Sequence, residues 1–262
     1  MKKSIFNLII VLFSLIMLLF IVTPIIKLFT FSDFKMIYKT ALEKEVMESI
    51  FLTLRASFAA TLITLVLGIP LAYLLARFNF RGKMLVESII NIPVIIPHTA
   101  AGIALLTVYG DNFFMGKLFN KFGMSFTGEF AGIVVAMMFV SMPFLINEAK
   151  EGFRKIDVKY EKVARTLGAT PTKAFFKVAL PMNKNHILSG SLMMWARGIS
   201  EYGAVLVLAY HPMVAPTLIF ERFSSYGLKY SIPVATVMII ITLIIFSVFK
   251  IIQKGDIDYD KN

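Results

Sequence analysis

The sequence predicts an all-α membrane protein of about six transmembrane helices, and three observations carry that prediction. Hydrophobic residues make up 58% of the 262 positions and mean hydropathy is +0.78, too apolar for a soluble globule. Asp, Glu, Lys and Arg are missing from stretches of 23 residues after Lys3, 21 after Arg55, 23 after Glu87, 18 after Glu129 and 20 after Lys229. Each is close to the roughly 20 apolar helical residues that cross about 30 Å of hydrocarbon. A sixth apolar stretch, about 187–210, is interrupted only by Arg197 and Glu201. The third observation is the distribution of positive charge, which fixes an orientation.

Taken in order, the first span follows the basic pair Lys2–Lys3. Its apolar run is too long for a signal peptide and no small-x-small cleavage site follows, so it is expected to be retained. The second span carries Gly68 and Pro70, the third Pro93 and Pro97, and the fourth Pro143; proline removes a helix hydrogen bond and is expected to bend each. With the amino terminus inside, the inner segments hold 17 Lys and Arg against 8 outside. Positive residues accumulate on the cytoplasmic side, so both termini and the 150–184 loop are expected there. The net charge of +11 is then a topology signal with some attraction to anionic lipid, and nucleic acid is not an expected partner.

The most informative stretch is a basic island, Glu161–Lys–Val–Ala–Arg–Thr–Leu–Gly–Ala–Thr–Pro–Thr–Lys–Ala–Phe–Phe–Lys–Val–Ala–Leu–Pro181. Asp157 to Leu167 reads as a helix with Val158, Val163, Ala164 and Leu167 toward one side and Lys159, Glu161, Lys162 and Arg165 toward water. Gly168 suits a helix stop, Thr170 offers an N-cap oxygen, and Pro171 takes the first helical position, where its missing N–H costs nothing. The island therefore reads helix, turn, short helix, then Leu180–Pro181 leading back to the bilayer. A basic loop lying on the inner leaflet is the plainer alternative.

This island resembles the cytoplasmic EAA loop of ABC-importer permeases, EAA-x3-G-x9-I-x-L-P. Gly168, Val178, Leu180 and Pro181 fall on the Gly, Ile, Leu and Pro of that pattern. Ala164 matches its second Ala, Lys162 and Val163 replace the Glu and first Ala, and Glu161 sits one position early. The resemblance implies a type I permease fold and an ATPase-coupling surface formed by Glu161, Lys162, Ala164, Arg165, Leu167, Gly168, Ala169, Thr170, Pro171, Leu180 and Pro181. It also implies a division into residues 1–44 (first helix and external segment), 45–252 (permease core with coupling loop 150–185) and 253–262 (cytoplasmic tail).

Two further stretches narrow the family. Ile92–Pro–Val–Ile–Ile–Pro–His–Thr–Ala–Ala–Gly102 resembles the P-x3-P-P-x3-G segment of permeases for tetrahedral oxyanions, with His98 in place of the second Pro of the pair. Ala196–Arg–Gly–Ile–Ser–Glu–Tyr–Gly–Ala204 resembles a fifth-span segment of the same group, and Leu206 to Thr217 looks most like archaeal-type molybdate/tungstate permeases. Sulfate permeases remain an alternative.

Arg197 and Glu201, four apart inside an apolar segment, are expensive there and can pair to reduce the cost. Two readings stay open: an ion pair that locks the fifth helix against a neighbour, or a polar lining of the pathway or gate. His98, His186 and His211 show no metal spacing, His186 reads as a surface residue, and the chain has no cysteine for thiolate chemistry. No G-x4-G-K-[ST], H-E-x-x-H or G-x-S-x-G occurs, so no catalytic residue, metal or cofactor is expected in this chain. ATP and Mg are then expected on partner ATP-binding cassette subunits. A second permease copy in a homodimer and an extracellular or periplasmic oxyanion-binding protein complete the expected assembly. A secondary transporter would typically show an internal repeat or several intramembrane acids. A membrane enzyme would need facing pairs of titratable groups, and neither pattern is present by inspection.

Overall fold

The computed structural model describes the backbone of residues 5–259 and the side chains of residues 6–249. Lys2–Lys3, which opens the first span, and Lys261 in the tail lie outside the described residues. Every regular element described is helical: α1 (Ile5–Phe31), α2 (Phe34–Ala41), α3 (Lys44–Arg77), α4 (Lys83–Ile95), α5 (His98–Tyr109), α6 (Phe114–Asn120) and α7 (Phe130–Lys155). There follow α8 (Lys159–Thr166), α9 (Pro171–Ala174), a π-helical turn (Phe175–Ala179), α10 (Leu180–Met182), α11 (Lys184–Ile199), α12 (Gly203–Leu208), α13 (Ala215–Tyr226) and α14 (Leu228–Tyr259).

Four helices are continuous and apolar enough to cross a membrane: Phe6–Phe31, Lys44–Arg77, Phe130–Lys155 and Leu228–Phe249. The chain is thus a multi-pass membrane protein. Two of the expected spans are broken. The stretch between Glu87 and Asp111 is not one rod but α4 and α5, meeting at 115°. Pro97 is the cause, because the residue before a proline is forced out of the helical region, and Ile96 is extended with ψ 148°. The 187–210 segment also fails to form one helix. α11 stops at Ile199, Ser200–Tyr202 leave the helical path, and α12 starts at Gly203. Pro70, Pro93 and Pro143, expected to bend their spans, lie inside helices that run on without a break.

The chain forms two compact units. One comprises residues 51–217, and its core is built where α3, α5, α7, α11 and α12 bury Leu75, Leu105, Met137, Phe153, Met194 and Leu208. Within it α7 lies along α11 at near-backbone distance. A Cβ on Gly152 would fall 1.8 Å from Asn183 Oδ1, and one on Gly190 3.0 Å from the Glu148 Cβ. The other unit joins residues 1–50 to 218–262. There Arg222 reaches Glu43 at 2.7 Å and Glu45 at 2.9 Å, and the Thr236 hydroxyl donates to Leu28 O at 3.5 Å. The apolar stretch of α1 has no buried residue, as expected of a helix facing lipid or another chain.

Candidate functional site

The basic island folds as a helix, a sharp turn and a second helical segment. α8 closes with paired bonds, Gly168 N–H to Arg165 O and Ala169 N–H to Ala164 O, both 3.0 Å. This double closure requires a left-handed residue, and Gly168 supplies it at φ +90° with open space where a Cβ would stand. Thr170 then accepts the Lys173 N–H on its Oγ1 at 3.2 Å and Pro171 opens α9. Leu180 and Pro181 form the turn of α10, and Asn183, wholly buried, donates its side-chain amide to Ala149 O at 2.9 Å to seat the start of α11 on α7.

The expected faces of α8 are reversed in one decisive respect. Glu161, read as facing water, is buried. Its Oε1 accepts from Arg77 Nε at 2.7 Å, and its Oε2 accepts from the Tyr73 hydroxyl. Arg77 also donates from Nη1 to Ile156 O at 3.1 Å, so the C-terminal end of α3 grips both ends of the connection into α8. Tyr73 stands edge-on to Phe153 and Phe175, at 5.3 and 4.8 Å between centroids, which walls the ion pair with aromatic rings. The apolar side read from the sequence is mostly exposed: Val158, Val163 and, at 82%, Leu167, with Ala164 half-buried. Tyr160, Val163, Ala164, Leu167 and Val178, with Asp157 and Lys159 at the rim, line an open apolar groove of about 590 Å³. Lys162 and Arg165 are exposed and Ala169 half-buried. A short helix held by a buried charge and presenting bare apolar side chains has the form of a docking surface.

Arg197 and Glu201 do pair, with Arg197 Nη2 donating to Glu201 Oε2 at 3.1 Å. They do not share a continuous helix, since Glu201 sits in the break after α11. There its Oε1 accepts the Ala204 N–H at 2.9 Å and caps α12. His98, at the start of α5, joins them with Nδ1 2.9 Å from Glu201 Oε2. The sequence placed His98 in the proline-rich segment, in place of the second Pro, but did not join it to Arg197 and Glu201. Its place directly after Pro97, at the head of a helix, was the available signal. His186, read as a surface residue, keeps 30% of its side chain exposed, and its Nδ1 lies 2.7 Å from Glu148 Oε1.

Four continuous apolar helices and a bent pair define a class, the multi-pass membrane proteins. Residues 68–255 match the family described as binding-protein-dependent transport system inner membrane component, and the chain belongs to that family. Among relatives, the molybdate/tungstate transport system permease protein WtpB of Pyrococcus abyssi is 42% identical over 236 residues, covering 89% of this chain and 90% of that one. The probable sulfate transport system permease protein cysT of Chlorokybus atmophyticus is 32% identical over 241 residues, covering 89% and 84%. A chain in the crystal structure of the bacterial alginate ABC transporter, in complex with an alginate pentasaccharide-bound periplasmic protein, shares the fold at TM-score 0.74. It is 17% identical, with 96% of this chain and 93% of that one covered.

Proposed function

We propose that this chain is the translocation subunit of an ATP-driven importer for molybdate and tungstate. The family implies ATPase and binding-protein partners. We further assign two ATP-binding cassette subunits that hold ATP and Mg, a second copy of this chain, and an extracellular binding protein that delivers the oxyanion. Both termini and the 150–185 loop face the cytoplasm, with α8 and α9 as the coupling surface and no catalytic residue in this chain. The observation that carries the coupling role is the exposed groove on α8 above the buried Arg77–Glu161 pair, since it joins a partner-ready surface to a transmembrane helix. The substrate assignment is supported by the 42% identity to a molybdate/tungstate permease against 32% to a sulfate permease. The test is uptake in liposomes holding the permease, its ATPase and the binding protein. Tungstate and molybdate are expected to be taken up with ATP and to resist competition by excess sulfate. Uptake of sulfate in preference to both moves the assignment to sulfate.

A further inference from the structure

The cluster of His98, Arg197 and Glu201 is asymmetric in a way that an ion pair serving only to hold helices together does not require. Glu201 is fully buried with both oxygens occupied, one on the Ala204 N–H and the other shared by Arg197 and His98. The two nitrogen-bearing side chains remain open, His98 with 36% and Arg197 with 22% of the side chain exposed. Arg197 Nη2 also lies 2.9 and 2.8 Å from the two ring nitrogens of His98, and its Nη1 donates to the exposed Ser200 hydroxyl at 3.1 Å. The carboxylate is thus locked into the wall while guanidinium, imidazole and hydroxyl form its surface. All of this stands where two helical segments are broken, at Pro97 and at Ser200–Tyr202, and irregular backbone within a membrane is tolerated where it is buried in protein or lines a cavity.

We infer that Arg197 and His98 form a transient contact for the translocated tetrahedral oxyanion, and that Glu201 is the positioning residue that aims them. This rests on the proposed import of an oxyanion. A guanidinium offers N–H donors suited to an oxyanion edge; the partly exposed imidazole lies beside it, between Glu201 and Arg197, and the Ser200 hydroxyl, which donates to Arg197 O at 3.0 Å, helps to hold it. Glu201 offsets the charge of Arg197, so the contact polarises the route without trapping a dianion. Conduction needs such balance, because a site must bind well enough to be entered and weakly enough to be left.

The experiment compares tungstate uptake with binding-protein-stimulated ATP hydrolysis in liposomes holding the whole complex. The variants are R197K, H98Q, E201Q and the paired R197M/E201M. Uptake per ATP hydrolysed is expected to fall about tenfold in R197M/E201M and H98Q, the scale of one lost polar contact. It should fall also in R197K, which keeps the charge but not the planar fork, and in E201Q, which loosens the aim. A defect in folding or assembly lowers hydrolysis and uptake together and leaves the ratio unchanged. A wild-type ratio in H98Q and in the Arg197 variants overturns the inference. H98Q, at a third-exposed position, decides if the Arg197 variants do not assemble. Wild-type protein that hydrolyses ATP but imports no tungstate, molybdate or sulfate overturns the underlying functional reading, and is told apart because it needs no substitution.

Discussion

Gly168 and Glu161 do opposite work a few residues apart, and their substitutions separate shape from anchorage. Nothing lies within 4 Å of a Cβ built on Gly168, so a side chain there meets no clash and pays only in backbone conformation, about 1 kcal/mol. G168D is therefore expected to leave the chain folded in the membrane but to reset the turn between α8 and α9. Co-purification of the ATPase is expected to drop severalfold, and a wild-type yield of ATPase on folded G168D would remove the turn from the coupling role. Glu161 is the anchor. With side chains of Arg77 and Glu161 at 7% and 9% exposure, E161Q leaves a buried cation with half its partner and is expected to cost about 3 kcal/mol. The paired R77M/E161L should recover most of that in thermal unfolding. Equal stability of E161Q and wild type would mean the pair is not seated as described.

At the scale of elements, what was legible in the sequence was whatever a single chain decides locally. The charge-free gaps, the Gly168 stop and the Thr170–Pro171 start are local signals: four of the gaps each fall on one long helix, and α8 closes and α9 opens at the Gly168 and Thr170–Pro171 signals. The inward face of α8 was not local. Periodicity separates an apolar side from a polar one but cannot say which side meets its own chain, and a face meant for a partner reads the same as one meant for the core. The clue lay outside the motif, in Arg77 at the end of α3. The break at Ser200–Tyr202 was hidden for a related reason: no proline marks it, and its stability comes from Glu201 capping Ala204, a contact made only once α12 exists. The stacking of α7 on α11 depends on a missing side chain. G152V would drive a β-branched group into Asn183 Oδ1 and the His186 Cβ, at 1.8 and 2.5 Å from a built Cβ. We expect a loss of several degrees in melting temperature, as for other overpacked contacts. Unchanged melting would mean that the two helices part readily.

For the whole molecule, the absence of cysteine makes topology directly measurable. K173C is expected to react with an impermeant thiol reagent only from the cytoplasmic side, and K121C and S224C only from outside. Labelling of position 173 in intact cells would invert the assigned orientation and take the coupling loop away from the ATPase. The central claim is that the exposed face of α8 joins this chain to an ATP-driven partner, and Leu167, 82% exposed in the groove wall, tests it with least damage to the fold. The measurement is ATP-dependent tungstate uptake by L167E in liposomes with the ATPase and binding protein, with melting temperature taken on the same preparation. The account predicts a melting temperature within about 2 °C of wild type, since surface changes rarely exceed 0.5 kcal/mol, and loss of both bound ATPase and uptake. Stable L167E that retains its ATPase and imports tungstate at the wild-type rate would contradict it.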